Sequence, residues 1–234
     1  MTRILQAAWL ALAALMLPGC SFAEDKAPDY RYRLTVEVET PEGVKTGSSV
    51  IAVQQTLVRS GAVPANQAVE RRVRGEAVAV DLPGDKTLFA LLRSDNDPDW
   101  ASMVYVLLAP QENKAFEDAL DDVLEITGER TLPRTWPADL WIPERSAYPM
   151  LVTFGDPADP TSVAKVDPDD LAASFGDGVR LKRITVELTD DPITSGMRKR
   201  LSWLGKSLKG LPREAFPEGL PVGDFSGMFQ KGSE

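Results

Sequence analysis

Residues 32–39, YRLTVEVE, carry an apolar side chain at every second position and a polar one between. Successive side chains of a strand point to opposite faces, so this pattern predicts a half-buried β-strand. The turn sequence TPEG follows at 40–43, and a second apolar-rich stretch runs from 49 to 58. Together the two stretches predict a β-hairpin.

The rest of the chain divides into strand and helix patterns separated by turn sequences. Further strands are predicted at 76–82, 87–93, 103–109, 149–154 and 179–188. Helices are predicted at 112–125, from Asp167 to Gly176, and at 197–208, from apolar spacings of three and four, an N-cap aspartate or a terminal glycine. Residues 130–149, with Trp136 and Trp141, predict an ordered loop.

Strands outnumber helices and lie mostly in the first half of the chain, which is typical of an α+β fold. We therefore expect an antiparallel β-sheet with about three helices packed on it. A β-sandwich with helical additions is the alternative. Residues 30–234 are expected to form a single globular domain, because their number suits one core.

The N-terminus has the pattern of an export signal. Arg3 precedes an apolar run at 4–16 that only Gln6 interrupts, and the run ends at Leu17-Pro18-Gly19-Cys20. The run is too short to span a bilayer, which indicates a signal that is removed. The four residues at its end resemble the lipobox of bacterial lipoproteins, although Pro18 departs from that pattern.

The lipobox resemblance implies a signal peptide over 1–19, a lipid attached to Cys20 and a tether over 20–29. Ser21 stands where an aspartate would mark inner-membrane retention, so the resemblance implies the periplasmic face of the outer membrane. The alternative is cleavage after Ala23, at the small-x-small sequence 21–23, which would release a soluble periplasmic protein.

Composition limits the functions that the chain can have. The 26 basic and 35 acidic side chains give a net charge of −9, which argues against nucleic acid as a partner. With no histidine, the chain has no Ser-His-Asp triad and no His-ligated zinc or haem. Its one cysteine allows no intramolecular disulfide. The sequence implies no cofactor.

Two short motifs are similar to those of penicillin-binding proteins and β-lactamases. Ser162 and Lys165 form a Ser-x-x-Lys pattern, and residues 45–47 read Lys-Thr-Gly. Their order is the reverse of the one in that family, and the Ser-x-Asn element between them is missing. A structural serine and a turn before a strand are therefore the favoured interpretation.

Two groups of aspartates and one group of basic residues are further candidate sites. Turn and cap roles are favoured over metal binding for the aspartates at 95, 97 and 99 and at 156, 159, 167 and 169. The predicted helix 197–208 carries Arg198, Lys199, Arg200, Lys206 and, just beyond it, Lys209. Packing of its apolar stripe on the sheet is favoured over docking on an anionic membrane.

Three longer stretches carry a resemblance to a family. They are residues 40–49 (TPEGVKTGSS), residues 148–163 (YPMLVTFGDPADPTSV) and residues 181–186 (LKRITV). They resemble a group of uncharacterised exported bacterial proteins, and the similarity spans most of the mature chain. The resemblance implies export but carries over no activity, ligand or catalytic residue.

The sequence therefore predicts a non-enzymatic lipoprotein of the cell envelope, anchored to the membrane through Cys20. Its domain would bind an envelope protein or a small ligand on the periplasmic side. The alternative is a histidine-free periplasmic hydrolase that uses carboxylates or a Ser-Lys pair.

Overall fold

The computed structural model describes residues 27–59, 67–109, 118–138 and 143–232. Cys20, Ala23 and the predicted signal peptide lie outside the described residues, as do residues 112–117 of the predicted helix 112–125. Within the described ranges, no helix combines the length and the apolar character that crossing a bilayer requires.

Twelve strands are found in these ranges. They are β1 (Tyr30–Thr40), β2 (Gly43–Arg59), β3 (Gln67–Glu76), β4 (Val78–Leu82), β5 (Lys86–Ala90), β6 (Arg130–Thr131), β7 (Thr135–Trp136), β8 (Arg145–Ser146), β9 (Leu151–Phe154), β10 (Val163–Val166), β11 (Arg180–Leu188) and β12 (Gln230–Lys231).

The helices of the described ranges are short. The α-helices are α1 (Trp100–Leu108), α2 (Asp122–Glu125), α3 (Ala172–Phe175), α4 (Met197–Arg200) and α5 (Phe225–Phe229). Single 3₁₀ turns lie at Asp118–Leu120, Pro160–Ser162, Arg213–Ala215 and Val222–Asp224.

The strands form two larger sheets and one small one. The first has six strands in the order β12-β3-β2-β1-β11-β6, the second has four in the order β10-β9-β5-β4, and β7 pairs with β8. All of these pairs are antiparallel. The predicted hairpin is confirmed as β1 and β2, with Tyr32 opposite Ile51.

The four-stranded sheet lies between two apolar cores. Leu88 and Ala90 of β5 pack into a core shared with the apolar face of β1, which includes Leu34 and Val36. Phe89 on the opposite face packs into a second core with C-terminal residues. Because alternate side chains of a strand point to opposite faces, both faces of this sheet are buried. The sheets therefore pack as in a sandwich, with the C-terminal segment as a further layer.

Gly47 allows the two sheets to approach each other. A Cβ atom at this position would lie 2.2 Å from the carbonyl oxygen of Ala79 in β4 and 3.0 Å from a methyl group of Val80. Only a residue without a side chain permits this contact between β2 and β4.

The sequence-based expectations are confirmed at the level of a mixed α and β fold with antiparallel sheets. The strands predicted at 149–154 and 179–188 are confirmed as β9 and β11, and those at 76–82 and 87–93 correspond to β4 and β5 with shifted ends. Strand β3 was not predicted.

Three predicted elements were wrong in type or extent. Residues 103–108 belong to a helix, α1, which ends before Ala109 and whose buried face includes Trp100, Val104 and Tyr105. The helix predicted from Asp167 is only the single turn α3. The helix predicted at 197–208 ends at Arg200, because the buried apolar residues after it are held by turns.

Candidate functional site: a cationic groove beside strand β3

The stretch 70–74, ERRVR, brings three arginines together on β3. Arg72 and Arg74 are exposed and lie opposite Gln54 and Ala52 of β2, so both point to the outer face of the six-stranded sheet. Arg71 lies on the inner face and is half-buried.

Arg71 is held by one neighbour. Its Nε atom donates a hydrogen bond to Oε1 of Gln55 at 2.9 Å. Partial burial lowers the pKa of Arg71, while the nearby Tyr30 hydroxyl acts in the opposite direction. A guanidinium stays charged in proteins, so Arg71 adds a positive charge with few water contacts.

A cavity of about 460 Å³ opens at the end of β3. Its walls are the ends of β3 and β12 and the segment 193–199 that leads into α4. The charged residues in these walls are Arg74, Glu76, Arg198, Lys199 and Lys231.

The Glu76 carboxylate connects the elements around this cavity. Glu76 is only 3% exposed. One carboxylate oxygen accepts a hydrogen bond from the backbone N–H of Met197 at 2.8 Å, and the other accepts one from Nε2 of Gln230 at 2.8 Å. Gln230 in turn accepts a hydrogen bond from Nε of Arg198 at 3.1 Å. The Glu76 carboxylate therefore has a structural role.

A second cavity, of about 500 Å³, adjoins the first along β3. It is lined by Arg71 to Arg74, by Lys231 and Gly232, and by Asp99 and Ser102 at the start of α1. Arg74 and Lys231 line both cavities. We call the two cavities together the Arg74 groove.

The Arg74 groove is strongly positive in a protein whose net charge is −9. Six basic side chains line it, against the carboxylates of Glu76 and Asp99. Within the described ranges, the side chains of Arg72, Arg74 and Lys199 make no hydrogen bond or ion pair. The arrangement therefore offers positive charge and hydrogen-bond donors to an anion.

The Ser-x-x-Lys motif is not assembled as a catalytic pair. The hydroxyl of Ser162 lies 2.8 Å from the carbonyl oxygens of Asp156 and Asp159, and it accepts a hydrogen bond from the backbone N–H of Asp156 at 2.9 Å. The ammonium group of Lys165 forms an ion pair with Asp95 at 2.6 Å. Each motif residue thus stabilises a loop through partners of its own.

The Lys-Thr-Gly motif lies at the start of β2 and also has structural contacts. Lys45 forms an ion pair with Glu42 at 3.2 Å across the hairpin turn. Gly47 is the close-approach position between the two sheets.

The predicted aspartate clusters shape turns. Four aspartates, at 97, 156, 159 and 167, each accept a hydrogen bond from the backbone N–H two residues further on. Such Asx turns are a common role of this residue. Asp169 forms an ion pair with Arg134 at 2.9 Å. Within the described ranges, no three His, Cys, Asp or Glu side chains gather as a metal site would require.

The basic segment 197–209 is divided between the second core and the groove. Leu201, Trp203 and Leu204 are buried in the second core, which confirms that the apolar stripe packs inside the protein. Arg198 and Lys199 line the Arg74 groove, and Arg200 forms an ion pair with Asp81 of β4 at 2.6 Å.

The Arg74 groove was missed from the sequence although the stretch ERRVR is visible in it. Val69 and Val73 alternate with Glu70 and Arg72, the period of a strand, but Arg71 interrupts the apolar face. The groove also needs Arg198 and Lys231, more than 120 residues further along the chain, and no local pattern joins them.

No protein-family model, curated protein or solved structure matches this chain.

Proposed function

We propose that this chain is an exported, non-enzymatic binding protein of the cell envelope that holds an anionic ligand in the Arg74 groove. A lipid on Cys20 anchors it to the periplasmic face of the outer membrane, as the lipobox-like sequence ending at Cys20 and the serine after it imply. The observation that carries the binding proposal is the set of six basic side chains that line one groove of an acidic protein.

Electrostatics support an anion as the occupant. Like charges at short range repel, so Arg72, Arg74 and Lys199 raise the energy of the empty groove. An anion relieves this repulsion and accepts charge-assisted hydrogen bonds, which are about twice as strong as neutral ones. Arginine offers a planar pair of donors that suits carboxylates and phosphates.

The dimensions of the groove also fit a ligand. Pockets that bind small molecules commonly measure about 300–1,000 Å³, and the two cavities measure about 460 and 500 Å³. The floor is fixed by the hydrogen bonds of Glu76 with Met197 and Gln230. A fixed floor lowers the entropy cost of binding.

Titration calorimetry of the purified protein with pyrophosphate tests the binding proposal. We expect the double variant Arg74→Ala/Lys199→Ala to weaken binding at least tenfold, which is about 1.4 kcal/mol. The matched control is Lys206→Ala/Lys209→Ala, which removes two exposed charges outside the groove and should bind as the parent does. Equal affinities of the two double variants would contradict the proposal.

Mass spectrometry of the mature protein tests the anchor. We expect a mature N-terminus at Cys20 that carries acyl chains, and an unprocessed precursor in the Cys20→Ala variant. A mature form without lipid that begins at Glu24 would instead support cleavage after Ala23 and a soluble periplasmic protein.

A further inference from the structure

We infer that the occupant of the Arg74 groove is an acidic polypeptide segment that binds in an extended conformation, as an additional strand on the open edge of β3. This inference rests on the proposed anion-binding function and names its ligand class.

Among the residues that the structure describes, no strand pairs with most of one edge of β3. On one side, Gln67 to Arg74 pair with Arg59 to Ala52 of β2. On the other side, the described part of β12 pairs with Gly75 and Glu76. Within the described ranges, the eight residues 67–74 therefore have no partner strand on that side. Such an edge presents unpaired N–H and C=O groups that accept another strand.

The second cavity of the groove lies at this edge. It is lined by four consecutive residues, Arg71 to Arg74, whose side chains alternate between the two faces of the sheet. A cavity that touches both sets of side chains reaches the edge of the strand, and Gln54 of β2 shows that it also extends over the outer face. It ends at Lys231 and Gly232, where β12 ends. Gly232, which follows β12, lies against Val73 and Arg74, so an added strand would lie beyond Gly232 along the rest of this edge.

The charges along the edge select an acidic partner. Arg72 and Arg74 point to one face, and Arg71 points to the other, with Lys231 at the end. Acidic side chains at alternate positions of an added strand share one face and would lie opposite Arg72 and Arg74, and cross-strand pairs of opposite charge are favourable.

The same charges argue against other occupants. Two copies of this edge would bring arginines close to arginines, which disfavours a dimer formed through β3. A small anion would neutralise the arginines but could not pair with a row of backbone groups. An acidic peptide can both neutralise the arginines and pair with the backbone groups of the edge, as in known cases of strand addition.

The length of the edge determines the length of the probe peptide. Eight residues of a strand extend for about 26 Å, so we choose an eight-residue peptide of alternating Glu and Val with blocked ends. Two derivatives carry N-methyl groups on its backbone, one at the Glu positions and one at the Val positions. N-methylation removes a hydrogen-bond donor while the charges stay.

Strand addition predicts a difference between the two derivatives. In an added strand, the N–H groups of alternate residues point toward β3 and the others point away. One derivative should therefore bind the full-length protein at least tenfold more weakly than the parent peptide, and the other should keep its affinity. The variant Arg72→Glu/Arg74→Glu should bind the parent peptide at least tenfold more weakly, whereas the control Lys206→Glu should not.

The outcomes separate this inference from the proposed function. If pyrophosphate and the peptide bind but both N-methyl derivatives bind as the parent peptide does, strand addition is wrong and anion binding stands. If pyrophosphate binds and the peptide does not, strand addition is also wrong. If neither probe binds, both proposals fail. A dimer in sedimentation experiments that Arg72→Glu/Arg74→Glu dissociates would assign the edge to a second copy and overturn the inference.

Discussion

The buried carboxylate of Glu76 accepts a hydrogen bond from the backbone N–H of Met197 at 2.8 Å, although the two residues are 121 positions apart. Both residues are almost fully buried, so water cannot replace either partner. With the second hydrogen bond, from Gln230, one side chain joins β3, the start of α4 and β12. These are the walls of the Arg74 groove.

Replacement of Glu76 by alanine should destabilise the protein. The buried N–H of Met197 and the partly buried side-chain amide of Gln230 would lose their acceptor, so we expect the free energy of unfolding to fall by about 2–3 kcal/mol. Urea unfolding measures the change. Glu70→Ala, at an exposed position of the same strand, should change the free energy by less than about 0.5 kcal/mol. Equal stabilities of the two variants would show that the Glu76 carboxylate does not hold these walls together.

Gly47→Ala should also destabilise the protein, although replacement of glycine by alanine in a strand is usually stabilising. The new Cβ atom would lie 2.2 Å from the carbonyl oxygen of Ala79, a backbone atom that cannot rotate away. We expect a loss of about 1–3 kcal/mol in the free energy of unfolding, as for other overpacked sites. Ser48→Ala, at the exposed neighbouring position, is the control. A stability of Gly47→Ala at or above the parent value would mean that β2 and β4 are not packed this closely.

The hairpin of β1 and β2 could be predicted because its signal is local. The alternation from Tyr32 to Glu39 matches the burial of β1, whose apolar side chains are buried and whose polar ones mostly are not. β5 could be predicted as a strand, but its place between two cores could not. Its consecutive buried residues Leu88, Phe89 and Ala90 are explained only by a layer on each face.

The wrong predictions of secondary structure have physical explanations. Residues 100–108, WASMVYVLL, are nearly all apolar, so their sequence period cannot distinguish a buried helix from a buried strand. After Arg200, Leu201 and Leu204 keep a helical spacing, but tertiary packing against the second core holds them in turns. Gly205 and Gly210, both with positive φ, favour this irregular path.

The site was harder to predict than the fold, because its parts come from distant segments. Arg74 and Lys231 line the same two cavities only because β12 returns to pair beside β3. The motif residues Ser162 and Lys165, by contrast, are close in sequence and yet bond to different partners. Proximity in sequence was therefore a poor guide to the groove.

The ion pairs of Glu37 predict how stability depends on pH. Hydrogen bonds from Arg183 and then from Lys182 lower the pKa of Glu37 from 4.5 to about 2. The side chain is 12% exposed, and its distances to Arg183 and Lys182 are 2.6 and 2.8 Å. A carboxylate with a lowered pKa in the folded state stabilises the protein above its unfolded pKa, and this contribution is lost as the pH falls through the folded pKa.

The Glu37→Gln variant isolates that contribution. At pH 7 we expect it to be less stable than the parent by about 1–2 kcal/mol, a value reduced for solvent around the half-exposed partners. Between pH 4.5 and about pH 2 the difference should shrink, because Glu37 of the parent becomes protonated. Urea unfolding of both proteins at several pH values measures this difference in stability. A difference that stays constant down to pH 2 would contradict the lowered pKa.

Ser162→Ala tests whether the Ser-x-x-Lys motif is structural or catalytic. The hydroxyl joins Asp156 and Asp159 within one loop, so its loss should lower the free energy of unfolding by about 1 kcal/mol. Ser174→Ala, whose hydroxyl makes no hydrogen bond within the described ranges, is the control and should have little effect.

The catalytic alternative makes the opposite prediction for covalent labelling. A serine activated by a neighbouring lysine reacts with fluorophosphonates or β-lactams, whereas the Ser162 hydroxyl is engaged with backbone groups and Lys165 with Asp95. We therefore expect mass spectrometry to find Ser162 unmodified after treatment of the wild-type protein with either probe. Labelling of Ser162 that the Lys165→Ala variant abolishes would instead support a histidine-free hydrolase, because only a lysine acting as the base would make that serine reactive.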